Sequence, residues 1–291
     1  MAERMEIASA DGPLIRNISD TALWVAVYRA RETERPDAVF RDPLARRLAG
    51  ERGERIARSM QFGERHAWSY VARTWLVDQI IAEQVRQGTD LVINLAAGLD
   101  TRPYRMDLPG SLRWIEVDLP AMIDYKEQLL SGEKAVCQLE RVRLDLSDVN
   151  ARRALFTKLG RKGKKALVLS EGLVIYLTRD EVGTPARDLS VVPSFQHWVL
   201  DLISPGLLEM LQKNLGTPLT AAGSPLKFGP EEGPDFFLPL GWQPVEVHSL
   251  LKTAARLKRL SLGMRLVALL PQSNERQGSR PWGAICLFTR K

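Results

Sequence analysis

The sequence is poor in the residues that staple a chain, ligate metals or shuttle protons. It has two cysteines in 291 residues, Cys137 and Cys286, far apart in the chain. That pair offers no disulfide framework and predicts a reduced, cytoplasmic protein. The three histidines, His66, His197 and His248, show no metal-ligand spacing, so no metal is expected. No apolar run approaches the ~20 residues that a membrane span needs, and the mean hydropathy of -0.17 agrees. The N-terminal stretch MAERMEIASADGPLIRN places charges where a signal peptide would carry its apolar segment. Charge of one dominant sign is also missing: 41 Lys and Arg face 35 Asp and Glu, a net +6, interleaved along the chain. Only Arg161-Lys162-Gly163-Lys164-Lys165 forms a tight basic cluster, with no RNA-binding aromatic signature or zinc knuckle beside it. It is read as a solvated loop, and neither nucleic acid nor a membrane is expected as a partner.

What is present fits a globular α/β protein. A composition 45% apolar and 26% charged excludes a disordered chain, a collagen-like fibre and a coiled coil. Short Val, Ile and Leu-rich runs bounded by turn signals predict strands at Leu91–Leu95, Arg113–Asp118, Arg141–Asp145, Ala166–Ser170, Gln196–Leu202 and Gly283–Thr289. Helical patterns fall between them at Pro120–Leu130, Val149–Leu159 and Arg179–Leu189, Pro120 suiting a first helical turn. Strand and helix alternating in this way predict a mostly parallel sheet covered on both faces. Before residue 91 the chain reads as helical, at Thr21–Arg31, Pro43–Ala49 and Ala67–Gln87. A Pro- and Gly-rich zone from Gly216 to Trp242 is expected to be a long loop. With no internal repeat, a single domain is expected: a helical cap over 1–90, a sheet over 91–205, and a lid or substrate loop with the last strands over 206–291.

The chemistry concentrates in LVINLAAGLDTRPYR, residues 91–105. A strand runs into the small-residue turn Ala96-Ala97-Gly98, where a ligand can approach the backbone at the carboxyl end of the strand. Twenty residues past Gly98, a second strand ends in Asp118, placed to accept hydrogen bonds from ribose hydroxyls. That pair points to a nucleoside ligand. A dinucleotide would call for G-x-G-x-x-G, whereas Gly98 is the only glycine of the turn and Asp100 follows it, a carboxylate that would repel a pyrophosphate. S-adenosylmethionine, with a carboxylate, an ammonium and a sulfonium, suits acidic groups and one arginine better.

Several segments then fit together: Thr21–Thr33 (TALWVAVYRARET), Phe40–Ala45 (FRDPLA), Arg73-Thr74 with Asp78, and Ala97–Arg105 (AGLDTRPYR). They continue through Trp114–Pro120 (WIEVDLP) with Lys126, Asp145-Leu146 and Ser170–Leu177 (SEGLVIYL). In order and spacing the chain resembles the S-adenosylmethionine-dependent methyltransferases related to leucine carboxyl methyltransferases, in particular their bacterial branch. The resemblance implies a class I methyltransferase fold, Rossmann-like, with one antiparallel strand near its C-terminus, and S-adenosylmethionine as cofactor. It also implies roles. Arg73 resembles the arginine that grips the methionine carboxylate, Gly98, beside Ala97, the turn glycine under the methionine moiety, and Asp118 the ribose-binding acid. Asp145 and Leu146 resemble the pair beside the adenine, and Glu171 the acidic residue near the ammonium. One departure is Ala96, where glycine is frequent in that family; an alanine there calls for φ below zero.

The expected reaction is methyl transfer to an oxygen, carboxylate or hydroxyl, of a small molecule. A carboxylate acceptor needs no general base and a hydroxyl does. His66, just before the Arg73 helix, is the histidine best placed to be one, while His197 lies in an apolar run and reads as a core residue. The tract from Ser224 to Trp242 is a candidate wall for the acceptor. A nicotinamide-dependent oxidoreductase and a non-catalytic nucleoside-binding protein of the same fold are the alternatives.

Overall fold

The computed structural model describes residues 15, 17, 19–269 and 280–291. Most of the N-terminal stretch tested above for a targeting signal lies outside the described residues. The chain opens with helices α1 (Asp20–Thr33), α2 (Ala45–Ser59), α3 (Gln61–Arg65) and α4 (Ala67–Arg86). Strand β1 (Leu91–Leu95) follows, then the short α5 (Arg102–Arg105), β2 (Arg113–Asp118), α6 (Pro120–Leu129), β3 (Gln138–Arg143) and α7 (Val149–Leu159). Next come β4 (Ala166–Ser170), α8 (Arg179–Ser190), β5 (Phe195–Ile203) and α9 (Pro205–Ala221). A 3-10 segment at Gly233–Leu240 leads into β6 (Trp242–Ser249), α10 (Leu250–Arg256), α11 (Leu262–Leu269) and β7 (Gly283–Arg290).

The seven strands form one sheet in the order β3-β2-β1-β4-β5-β7-β6. β1 to β5 run parallel, and β7 pairs antiparallel with both β5 and β6. This is the mostly parallel α/β sheet that the alternation of runs predicts, and the expected late strand is the antiparallel one. Side chains of β1 and β4 alternate between the two faces. Leu91, Ile93, Leu95, Ala166 and Val168 pack in one core, Val92, Leu167 and Leu169 in the other. Helices cover both faces, so every residue of β1 and β4 is buried. A third cluster joins α1, α2 and the second half of α9, through Trp24, Val27, Leu48, Ile56, Leu215 and Leu219.

Three expectations need correction. The strand placed at Arg141–Asp145 begins three residues earlier and ends at Arg143. It is an edge strand that is only half-buried, so its apolar signal is weak. The loop expected over Gly216–Trp242 is largely structured: α9 continues to Ala221 with Pro218 inside it, and Gly233–Leu240 is helical. Strand β6 has no counterpart in the sequence reading. It carries Pro244 beside a register shift and lies at the sheet edge, where a missing N–H is tolerated.

Candidate active site

β1 and β4 are neighbours in the sheet, and the chain leaves them in opposite directions, towards β2 and towards β5. Such a switch point opens a crevice at the carboxyl ends of the strands. A cavity of about 660 Å³ lies there, within the range of roughly 300–1,000 Å³ usual for small-molecule sites. All seven residues singled out from the sequence line it: Arg73, Ala97, Gly98, Asp118, Asp145, Leu146 and Glu171. Their strands run in sheet order. Asp145 and Leu146 follow β3, Asp118 ends β2, the glycine turn follows β1 and Glu171 follows β4.

The turn after β1 is tightly held. Gly98 has φ +48 and Ala96 has φ +52, so alanine sits in the left-handed region and not at the negative φ expected of it. The turn is fixed by Asp118, whose Oδ2 accepts from the Gly98 N–H at 2.6 Å and whose Oδ1 accepts from the Leu119 N–H at 2.7 Å. Burial pushes the Asp118 carboxyl up from its ordinary range, and these two N–H donors only partly offset it. Below it, Glu116 and Lys126 are fully buried and paired at 2.7 Å, with Arg141 on the second Glu116 oxygen at 2.9 Å. Asp145 is exposed and accepts from the Ser147 N–H, while the following helix is capped by Asp148. Leu146 is half-buried against the core that contains Phe156.

The other end of the crevice is an ion-pair network. Arg73 comes from α4, with its Nε 2.9 Å from Glu171 and its Nη1 3.2 Å from Asp201 at the end of β5. Glu171 is also paired with Arg102 at 3.0 Å, and Arg102 in turn with Asp78 at 2.6 Å and Asp100 at 2.9 Å. Burial alone would raise the Asp100 carboxyl, but Arg102, Lys126 and Arg105 outweigh it and hold the group at about 2. Glu171 is likewise lowered, against its burial, by Arg102 and Arg73. Asp201 and Arg102 were not singled out from the sequence. Their signal was an acid inside the apolar run QHWVLDL and an arginine inside the turn segment that carries Gly98.

The histidines lie elsewhere. None of the three borders the cavity. The expected base His66 contacts the Phe62 carbonyl oxygen through Nδ1 at 2.8 Å, with its ring stacked on Phe62. His197 is half-buried in β5, with its imidazole lowered by burial, and His248 pairs with Glu246 on the edge strand. Of the tract from Ser224 to Trp242, Leu226 reaches the cavity. Among the described residues, no cluster of three His, Cys, Asp or Glu side chains is arranged to hold a metal ion, and no helix is long and apolar enough to cross a membrane.

The leucine carboxyl methyltransferase family matches residues 22–186. The chain is 32% identical, over 89% of its length and 92% of the relative's, to a Streptomyces coelicolor protein named by inference as an S-adenosyl-L-methionine-dependent methyltransferase. A similarly named protein of Streptomyces avermitilis is 30% identical over 89% and 92% of the two chains. Among solved structures, a Thermobifida fusca protein named by inference as a methyltransferase superposes with a TM-score of 0.60 at 15% identity, covering 98% of this chain and all of the other.

Proposed function

The chain belongs to the leucine carboxyl methyltransferase family, and from that premise we propose that it transfers a methyl group from S-adenosylmethionine to a carboxylate oxygen of a small molecule. The observation that carries this reading is the convergence of Arg73, the Ala97-Gly98 turn, Asp118, Asp145-Leu146 and Glu171 on one cavity at the switch point of the sheet. The donor set fits a ligand with two cationic centres. Asp100, Asp118, Glu171 and Asp201 line the crevice; Asp100, Glu171 and Asp201 share two guanidiniums, Arg73 and Arg102, and Asp118 is held by backbone N–H groups, which leaves the region acidic. Asp118 would accept from the ribose hydroxyls, Asp145 from the adenine amine, with Leu146 against the ring. Glu171 and Asp201 would face the ammonium, and Arg73, through the Nη2 that neither of its two ion pairs uses, the methionine carboxylate.

The bound cofactor supplies a methyl group on cationic sulfur; an acceptor oxygen forms the new C–O bond with its own electron pair as the C–S pair passes to sulfur. The protein's part is to hold the two reactants in line and exclude water. An acceptor oxygen that arrives ionised needs no proton taken from it at the site. The three histidines lie off the cavity, and burial pushes the phenols that line it, Tyr70 and Tyr176, above their usual range, so neither is ionised near neutrality. A carboxylate, titrating near pH ~4, arrives ionised without a base.

Calorimetric titration tests the cofactor. S-adenosylhomocysteine is expected to bind and NAD not to, and Asp118→Asn should weaken S-adenosylhomocysteine roughly ten- to hundredfold. Tight NAD binding would return the oxidoreductase reading. For the acceptor, the rate at saturating cofactor should stay flat between about pH 6 and 8. A rate that rises through a pKa near ~6.5 and is lost in His66→Gln would mean a hydroxyl acceptor.

A further inference from the structure

Helix α11 (Leu262–Leu269) carries its leucines on the side away from the core. Leu262, Leu266 and Leu269 are 78%, 68% and 80% exposed. They stand at i, i+4 and i+7, so they form one apolar stripe along the helix. Met264 and Ala268 are half-buried and pack against the cluster of Ala72, Ala254 and Leu260. The seating of these two side chains against α4 and α10 is what turns the stripe outward. A Cβ added at Gly263 would meet nothing within 4 Å among the described residues, so this turn of the helix is a ridge and not the wall of a groove.

The charge beside the stripe is of one sign. From Val247 to Leu269 the sequence carries Lys252, Arg256, Lys258, Arg259 and Arg265 and no Asp or Glu. Arg259 is held by Glu32 and Asp37. The other four are exposed. Arg256 donates to the Thr253 hydroxyl and Arg265 to the Leu260 carbonyl oxygen, and none of the four is paired with a carboxylate among the described residues. Lys252 and Arg256 share a face of α10 at i and i+4. Arg265 flanks the stripe, three residues after Leu262 and four before Leu269.

Such a stripe calls for a cover that is apolar at its centre and acidic around it. A second copy of the chain would set the same four cations against one another, an unfavourable juxtaposition. A protein partner would need a groove to take the ridge. A lipid surface receives a ridge without one, and anionic headgroups supply the acid. We propose that α11 docks on an anionic membrane surface, with Leu262, Leu266 and Leu269 among the acyl chains and the four cations against the headgroups. The contact is peripheral, since no helix among the described residues is long and apolar enough to cross a membrane. It is independent of the methyl-transfer reading, because none of the three leucines borders the cavity. The sequence pointed to no membrane partner because a short helical pattern does not tell a stripe facing the core from one facing water. Burial decides that.

Co-sedimentation with lipid vesicles tests this. Phosphatidylcholine vesicles containing about 30% phosphatidylglycerol should bind the protein roughly tenfold or more tightly than pure phosphatidylcholine, and added salt should weaken the binding. Leu266→Asp should weaken it roughly tenfold or more. Lys252→Gln and Arg256→Gln together should weaken it about twenty-fivefold. These variants change solvent-facing side chains, so their melting temperatures should match the wild type. Leu262→Ser, on the same stripe, serves as the second apolar variant should Leu266→Asp fold poorly. Absence of binding to the anionic vesicles, or binding that the stripe variants leave unchanged, would overturn the proposal. So would a concentration-dependent dimer that Leu266→Asp dissolves and anionic vesicles do not, a result that assigns the stripe to a second copy.

Discussion

Ala96 is held at φ +52 in the turn that follows β1, a conformation that costs an L-residue roughly 1–2 kcal/mol because its Cβ crowds the next carbonyl. The strain persists because both flanks are fixed: the Ala97 N–H donates to the Val117 carbonyl oxygen at 3.3 Å, and the Gly98 N–H to Asp118. Ala96→Gly removes the Cβ and loses some of that gain to the greater freedom of glycine in the unfolded chain. Urea unfolding should show a net stabilisation of about 0.5–1 kcal/mol with unchanged cofactor affinity; a loss of stability would mean that the methyl group packs usefully. Side-chain identity alone made the site legible to this level. Asp118, Gly98 and Arg73 were readable because each is an unusual residue at a strand end or in the segment before the first strand. Asp201 was not, because the apolar run around it masks a single carboxylate. Nor was the sign of φ at Ala96, which is set by what the neighbouring peptides bond to.

Elements are stopped and joined by glycines whose roles differ. Gly241 closes the 3-10 segment before β6 with φ +91, and a Cβ there would stand 2.8 Å from the Cβ of Ser190 at the end of α8. Gly88, just after α4, has φ +92 with nothing within 4 Å of its missing Cβ. Gly241→Ala should therefore cost roughly 2–4 kcal/mol, from backbone strain and overpacking together, and Gly88→Ala only the backbone share of about 1–2 kcal/mol. Paired denaturant curves would check the difference, and equal costs would show that Ser190 moves aside freely. The strands divide in the same physical way. β1, β2 and β4 fall where the runs of Val, Ile and Leu place them, because strands buried on both faces carry mostly apolar residues. β3 and β6 lie at the two edges of the sheet, and their half-exposed residues carry charge and proline, so periodicity located one imperfectly and passed over the other.

Across the whole molecule, the helical layer is tied to the sheet by buried ion pairs. Arg29 of α1 reaches Asp42 and the Leu99 carbonyl oxygen, and Asp78 of α4 receives Arg102 and Arg105 of α5. Asp100 sits in the middle, accepting from Arg102 and from Asn94 of β1. Its carboxyl is held at about 2 in the folded protein, below its value in the unfolded chain near ~4. The contribution to stability is therefore complete above about pH 4 and is lost as the pH falls from there to about 2. The depression corresponds to about 2 kcal/mol. Asp100→Asn should be less stable by about that amount at neutral pH, and its stability should vary less between pH 4 and 2. Parallel acid limbs in the two proteins would assign the acid sensitivity to other carboxylates.

Strand β7 is the latest strand in chain order, yet it lies inside the sheet, between β5 and β6. During synthesis, the five parallel strands can assemble while β6 has no partner to join, since it pairs with β7. Until Gly283–Arg290 has emerged, the nascent chain presents two open strand edges, one on β5 and one on β6, each a template for a neighbouring polypeptide. A message cut short before codon 283 would thus leave a stalled intermediate prone to intermolecular pairing, rather than a slightly shortened version of the same protein.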